Sequence, residues 1–373
     1  MKYYIIAGEA SGDLHASNLM KELKLLDDHT DFRAWGGDLM QAQGAVLVKH
    51  YRDLAFMGFT EVLMNLRTIF RNIDICKKDL LEHRPDVLIL VDYPGFNLRI
   101  AEFAKEHGIR VFYYISPQVW AWKQSRVHKI KRTVERMFVI LPFEKEFYQK
   151  FDYAVDFVGH PLLDALEDKQ STFPNRNDFL NNNSLNAKPI IALLPGSRKQ
   201  EIETMLPLML SVRSSFPEYQ FVIAGAPSQP ETFYTHVLNG KKLPVIHNLT
   251  YELLFHSEAA LVTSGTATLE TALLKVPEVV CYKGGKISYF IARSLIKIKF
   301  ISLVNLIMDR EVVKELIQQD LNTNQITKEL HKILNPEFRA EMLQNYKELA
   351  QILGGRGASA LTAKRMLEYL RNT

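Results

Sequence analysis

A chain of 373 residues, 47% of them hydrophobic and 24% charged, has room for two domains that each bury a core. Its net charge of +4 is too mild to argue for a nucleic-acid partner, and its two cysteines, Cys76 and Cys281, carry no metal-ligand spacing. They read as reduced, buried thiols; the first apolar run is too short for a signal-peptide core, no stretch reaches transmembrane length, and a cytoplasmic protein is expected.

Short apolar runs alternate with amphipathic segments through the first half. Tyr3–Ala7, Phe32–Trp35, Val87–Val91, Val111–Ile115 and Met137–Leu141 read as strands. Leu14–Leu26, Leu66–His83, Leu98–His107 and Phe143–Phe151 read as the helices between them. Such alternation builds a parallel sheet covered on both faces.

The first strand runs into Gly8-Glu9-Ala10-Ser11-Gly12-Asp13, where the glycines permit close backbone approach. The pattern is not G-x-G-x-x-G, and the second strand ends in Trp35-Gly36-Gly37 rather than in a ribose-binding acid. A dinucleotide site is therefore not expected. Glu9, Ser11 and Asp13 suit sugar hydroxyls, and either Ser11 or Asp13 also suits a plain helix cap.

Further along, Phe56, Met57, Phe59, Leu63, Leu66 and Phe70 outnumber what one helix face buries, with Arg67, Arg71, Lys77 and Lys78 flanking them. The stretch fits a core helix or a patch that meets acyl chains or a membrane surface. Lys283 to Phe300 has a similar character, with Lys286, Arg293, Lys297 and Lys299 and no acids.

The strand Val87–Val91 ends in Asp92-Tyr93-Pro94-Gly95-Phe96-Asn97. A carboxylate held there by a Pro-Gly turn is placed as a general base, or is an ordinary turn residue, and Asn97 suits a cap for the next helix. Beyond Val111–Ile115, Trp120 and Trp122 offer faces for a sugar ring or an acyl chain. Lys123, Arg126, Lys129, Lys131, Arg132 and Arg136 follow, either to meet anionic groups or as a solvated helix face.

Residues 167–188, rich in Asn, Asp, Ser and Pro, read as a linker or exposed loop before the alternation restarts. Strands are expected at Ile190–Leu194, Gln220–Ala224, Val245–His247, Ala259–Val262 and Glu278–Tyr282, with helices between them, one at Tyr289–Ile296. Pro207 should kink or split the helix after Ile190–Leu194.

Two loops of this half suit anions. In Pro195-Gly196-Ser197-Arg198 a strand turns sharply into a helix, with Ser197 and Gln200 spaced as a capping box. Arg198 opposes the helix dipole there, which an anionic ligand would explain. Ser264-Gly265-Thr266 again puts small hydroxylated residues at a helix start, and Glu270 lies one turn on, within reach of ribose hydroxyls. No metal-ligand motif, Walker sequence or G-x-S-x-G appears, so transfer without a metal or cofactor is expected.

The expected architecture is two doubly wound α/β domains, 1–165 and 166–345, with helices of 346–373 returning to the first and the active site between the domains.

In order along the chain stand GEASGD, MGFTEVL, VDYPGFN, SPQVWAW, LPFEKEFY, VGHPLLD, LLPGSR, SGTATLE and SLVNLI. This series closely resembles the lipid-A-disaccharide synthase family of inverting glycosyltransferases, from about Tyr3 to the neighbourhood of Glu315. The resemblance implies a GT-B fold and the joining of UDP-2,3-diacylglucosamine to 2,3-diacylglucosamine 1-phosphate, with a β-1,6 disaccharide and UDP as products. It implies work at the cytoplasmic face of the inner membrane, as a peripheral protein. Arg198, Ser264, Gly265, Thr266 and Glu270 would take UDP, with Asn305 in the same pocket and Arg198 also stabilising the leaving diphosphate. The N-terminal loops, with Glu9, Ser11, Asp13 and Trp120, would hold the acceptor, and Asp92 matches the position of the base. Tyr93-Pro94-Gly95 departs from a more usual Ala-Pro-Asp. The rival readings are another GT-B enzyme acting on UDP-N-acetylglucosamine, an epimerase or a transferase, and a non-catalytic membrane-surface protein that binds a nucleotide. A homodimer is left open.

Overall fold

In the computed structural model, which describes residues 1–54, 66–121, 124–284 and 299–372, near-continuous apolar runs form the strands of two parallel sheets. Runs such as Val87–Val91 and Ile190–Leu194 are buried along their whole length, as expected of parallel strands covered on both faces. The chain divides into two units, Met1–Asp164 with Leu353–Thr373, and Ala165–Ile352.

The first unit holds β1 (Lys2–Ala7), β2 (Asp31–Gly36), β3 (Val46–His50), β4 (Val87–Val91), β5 (Arg110–Tyr114), β6 (Arg136–Val139) and β7 (Asp156–Phe157). Their order is β3-β2-β1-β4-β5-β6-β7, all parallel. Ile5 of β1 faces Ala34 on one side and Ile89 on the other, so the sheet winds outward in both directions from β1. The loops after β1 and β4 therefore leave neighbouring strands at the point where the winding reverses, the place where such sheets take their ligands. β3 and β7 were not legible as strands: β3 is a partly exposed edge and β7 is two residues long.

Helix Ala358–Arg371 belongs to this unit and packs along Ala10–Leu26. Its start is capped from a distance: the Asp164 carboxylate accepts the N–H of Gly357 at 2.7 Å and of Ser359 at 3.1 Å. Near its end, Tyr369 donates its hydroxyl to Asp156 at 3.0 Å, and Arg136 stacks over the Tyr369 ring.

The second unit repeats the plan with β8 (Ile190–Leu194), β9 (Gln220–Gly225), β10 (Val245–His247), β11 (Ser257–Thr263), β12 (Glu278–Tyr282) and β13 (Lys314–Ile317), in the order β10-β9-β8-β11-β12-β13. Here the winding reverses between β8 and β11.

Three local expectations are corrected. The stretch read as a linker contains the helix Arg176–Asn182, because Phe179 and Leu180 are buried and Asn175 caps it by accepting the N–H of Asp178. Pro207 neither splits nor ends its helix, which runs from Lys199 to Leu210. Ile202, Met205, Leu206, Met209 and Leu210 bury one face of that helix, while Pro207 lies on the exposed side. Asn97 is not an N-cap: it lies inside Pro94–Glu106 and donates its amide back to the carbonyls of Val91 and Asp92. Both cysteines are free and buried, and burial raises both thiols above their ordinary pKa. The expected helix at Tyr289–Ile296 lies outside the described residues.

Candidate active site

In the second unit, β8 ends at Leu194 and the chain turns through Pro195 and Gly196, whose φ of +104° lies in the left-handed region that favours glycine. Arg198, not Ser197, is the residue at the helix N-cap, and Glu201 rather than Gln200 answers it. The Glu201 carboxylate accepts the N–H of Ser197 at 3.3 Å and of Arg198 at 3.4 Å. The expected Ser197–Gln200 box is one residue out because Ser197 is still part of the turn.

This turn forms one wall of a cavity of about 530 Å³ at the carboxyl end of the sheet. The facing wall is the turn after β11, Thr263 to Ala267, across the β8/β11 reversal point. Gly225–Pro227 at the end of β9, Thr250 and Tyr282 also line it. The sequence reading did not single out these last residues, although each follows or ends a strand at the ligand side of such a sheet. The Thr263 hydroxyl is buried in this wall without a hydrogen-bond partner among the described residues.

Arg198 lines the cavity with its side chain 71% exposed, and its Nη1 is 3.8 Å from Glu201 Oε1. Ser264, Gly265 and Thr266 line it from the opposite turn, with Gly265 at the N-cap of Thr266–Leu273. Two helix starts thus border one space, the kind of place where backbone N–H groups meet an anion. Ser264 is itself held: its hydroxyl donates to the Ile301 carbonyl at 2.9 Å and its N–H to Cys281 at 3.1 Å.

Glu270 is not among the lining residues. Burial pushes its carboxyl up to about 7, against the opposing effects of Lys169 and a hydrogen bond from Tyr251.

Asn305, which the resemblance put in the same pocket, is not there among the described residues. Its side chain is fully buried; Nδ2 donates to Val313 O and Glu315 Oε1, and Oδ1 accepts the N–H groups of Val312 and Val313. Glu315 also receives the N–H groups of Ile301 and Ser302. The SLVNLI segment is therefore a knot that fixes Ile301, whose carbonyl in turn holds Ser264.

In the first unit the loops after β1 and β4 meet. A Cβ on Gly8 would come within 2.4 Å of the Tyr93 ring, so only glycine allows this approach. Asp92 and Tyr93 both have positive φ, 41° and 49°, a conformation that non-glycine residues hold only under constraint. The constraint is visible: the Asp92 carbonyl accepts hydrogen bonds from the Tyr113 hydroxyl at 2.5 Å and from Asn97 Nδ2 at 2.7 Å. Burial, and secondarily the charge of Glu9, raises the Asp92 carboxyl to about 6. An acid tuned to that range is poised for proton transfer near neutral pH.

The other acceptor-loop residues separate. Glu9 and Ser11 are exposed at the start of Ala10–Leu26. Asp13 turns inward instead: it is 2% exposed, and its carboxylate accepts the N–H groups of Gly37, Leu39 and Met40 at 2.7–3.1 Å. It caps the neighbouring helix Asp38–Ala42, so its oxygens are spent on backbone rather than offered to a sugar.

Trp120 is half-buried, with its ring edge-on to Phe143 at 4.9 Å; Trp122 and Lys123 lie outside the described residues. Much of the basic run beyond it has internal work. Lys129 pairs with Glu102, Lys131 donates to the Phe151 carbonyl and Arg136 stacks on Tyr369. Phe56, Met57, Phe59, Leu63 and the Leu66 side chain lie outside the described residues, whereas Phe70 is 53% exposed under the Arg99 guanidinium. With Arg67, Arg71, Asp74, Ile75 and Lys78 it lines a groove on Leu66–His83.

Two Rossmann-like parallel sheets, the second with a cavity at the carboxyl ends of its strands, define a fold of the GT-B class. The fold matches solved members of that class: UDP-GlcNAc 2-epimerase from Neisseria meningitidis bound to UDP-GlcNAc at a TM-score of 0.70 (14% identity, 99% of this chain and 100% of that one). A glycotransferase of kitacinnamycin matches at 0.62 (13% identity, 99% and 98%).

The particular family is the lipid-A-disaccharide synthetases: the family model matches residues 3–365, and the chain belongs to it. Curated lipid-A-disaccharide synthases from Nitrosococcus oceani (41% identical, 94% of this chain and 92% of that protein) and Syntrophus aciditrophicus (39%, 99% and 98%) are similar over almost their whole length. The chain is thus an enzyme, a glycosyltransferase of lipid A disaccharide synthesis. Its family's reaction takes a UDP-sugar donor and a phosphosugar acceptor.

Proposed function

We propose that the enzyme transfers a 2,3-diacylglucosaminyl group from UDP to the 6-hydroxyl of 2,3-diacylglucosamine 1-phosphate with inversion and without a metal. The observation that supports this most is the convergence of two helix starts and Arg198 on one cavity of the second unit. A diphosphate there meets backbone N–H groups and a guanidinium, which neutralise charge as it develops on the leaving UDP.

Asp92 takes the proton of the acceptor hydroxyl. The oxygen then attacks the anomeric carbon, and the C–O bond to UDP breaks with its electron pair passing to the β-phosphate. Glu9, Ser11 and Trp120 contact the acceptor. The release of labelled UDP, dependent on a lipid monosaccharide 1-phosphate acceptor and undiminished by EDTA, is the expected result. UDP release that ignores the acceptor, or an epimerised donor as product, overturns this reading; loss of release in EDTA overturns the metal-free mechanism.

We also propose peripheral association with the cytoplasmic face of the inner membrane. Among the described residues no helix is long and apolar enough to cross a membrane. Exposed Phe70 among Arg67, Arg71 and Lys78 supports contact with acidic headgroups. Neutralising those three cations to Gln should weaken binding to phosphatidylglycerol vesicles about a hundredfold, at roughly 1 kcal/mol per cation removed. Unchanged sedimentation with the vesicles would place the lipid contact elsewhere.

A further inference from the structure

Glu201 occupies the position proposed above for the donor diphosphate. Its Oε2 accepts the N–H groups of Ser197 and Arg198, and its Oε1 faces the Arg198 guanidinium. A Cβ on Gly196 would lie 2.8 Å from the same Oε2, so the glycine leaves the room that the carboxylate uses. The anion-holding groups of this turn are thus already turned toward an anion of the chain itself.

An ordinary capping box answers only the N-cap amide. Here the carboxylate also covers the amide before it, and Glu201 is part of the cavity wall. Both hydrogen bonds are longer than a well-formed N–H···O bond and Glu201 is 39% exposed, so the contacts are weak enough to be given up. The far side of the turn is fixed independently. Ser228 Oγ and Gln229 Nε2 donate to the Ser197 carbonyl at 3.2 and 3.4 Å, which keeps the amides aimed when the carboxylate leaves.

Resting on the assignment of this turn to the diphosphate, we propose that Glu201 is an internal competitor for it. The carboxylate covers the Ser197 and Arg198 amides in the empty site, yields them to the donor and returns as UDP departs. A nucleotide diphosphate is consequently held less tightly than the bare turn would hold it, and product release is favoured.

Calorimetric titration of UDP into the wild-type enzyme and into Glu201→Gln and Glu201→Met tests this. Both variants should bind UDP about tenfold more tightly, with KM for the donor and kcat falling together as release slows. Damage to the fold weakens binding, so tightening cannot come from a merely structural role. Unchanged or weaker UDP binding in the variants overturns the proposal. In the wild-type enzyme the Glu201 carboxyl 13C resonance should move when UDP saturates the site, and a resonance that stays in place overturns it without any variant. Arg198→Ala separates the two levels of inference. If that variant binds UDP as tightly as wild type, the diphosphate assignment falls and the competitor with it; if it binds UDP weakly, the assignment stands and the Glu201 result alone decides.

Discussion

Asp92→Asn should lower kcat by about 10²–10⁴-fold while leaving KM for both substrates near the wild-type value, as loss of a general base does. Asparagine tolerates positive φ and keeps the shape of the side chain, so the Asp92–Tyr93 turn should survive the change. The pH dependence gives a second readout. The Asp92 carboxyl is raised to about 6, and only its ionised form accepts a proton. The wild-type kcat/KM should fall tenfold per pH unit below that value, and the variant should lose this limb.

Stability should move in the opposite direction to activity. A carboxyl whose pKa is higher folded than unfolded contributes stability below its unfolded pKa, and that contribution disappears as pH rises through its folded pKa. At pH 7–8 the buried carboxylate is therefore a liability that the neutral amide lacks. Asp92→Asn should be more stable by about 1–3 kcal/mol there and no more stable at pH 4. Near-normal turnover in the variant would remove Asp92 from the role of base.

Where the sequence was readable, a strong local physical signal was the reason. Ile190–Leu194 and Val87–Val91 are apolar throughout and could only be buried strands, and Gly196 after a proline marked the turn that builds the cavity. Asp92 was visible as a carboxylate at the end of such a strand, a position that suits a base or an ordinary turn residue alike. Long-range partners were hidden. Asp13 looked free in its own loop because the amides it caps belong to Gly37, Leu39 and Met40, 24 or more residues away. Asn305 was put in the pocket by the resemblance alone; its partners lie at Val312, Val313 and Glu315, where no periodicity reveals β13. A polar side chain in a distinctive motif is legible as chemistry only when the backbone it might satisfy is also in view.

Arg198→Ala should lower kcat/KM by about 10²–10³-fold, the loss seen when one preorganised contact to a developing negative charge is removed. The loss should fall on kcat as well as on KM, because charge on the diphosphate grows as the bond to the sugar breaks. Stability should hardly change: the Arg198 side chain is 71% exposed and the carboxylate of Glu201 lies 3.8 Å away, a pair too open to matter to the fold. A melting temperature within a degree or two of wild type would therefore assign the loss to the reaction. Arg198→Lys should recover part of it, since a point charge replaces the charge but not the planar fork that grips two phosphate oxygens together. A full-rate alanine variant would leave the two helix starts alone to balance the leaving group, and would remove the guanidinium from the mechanism.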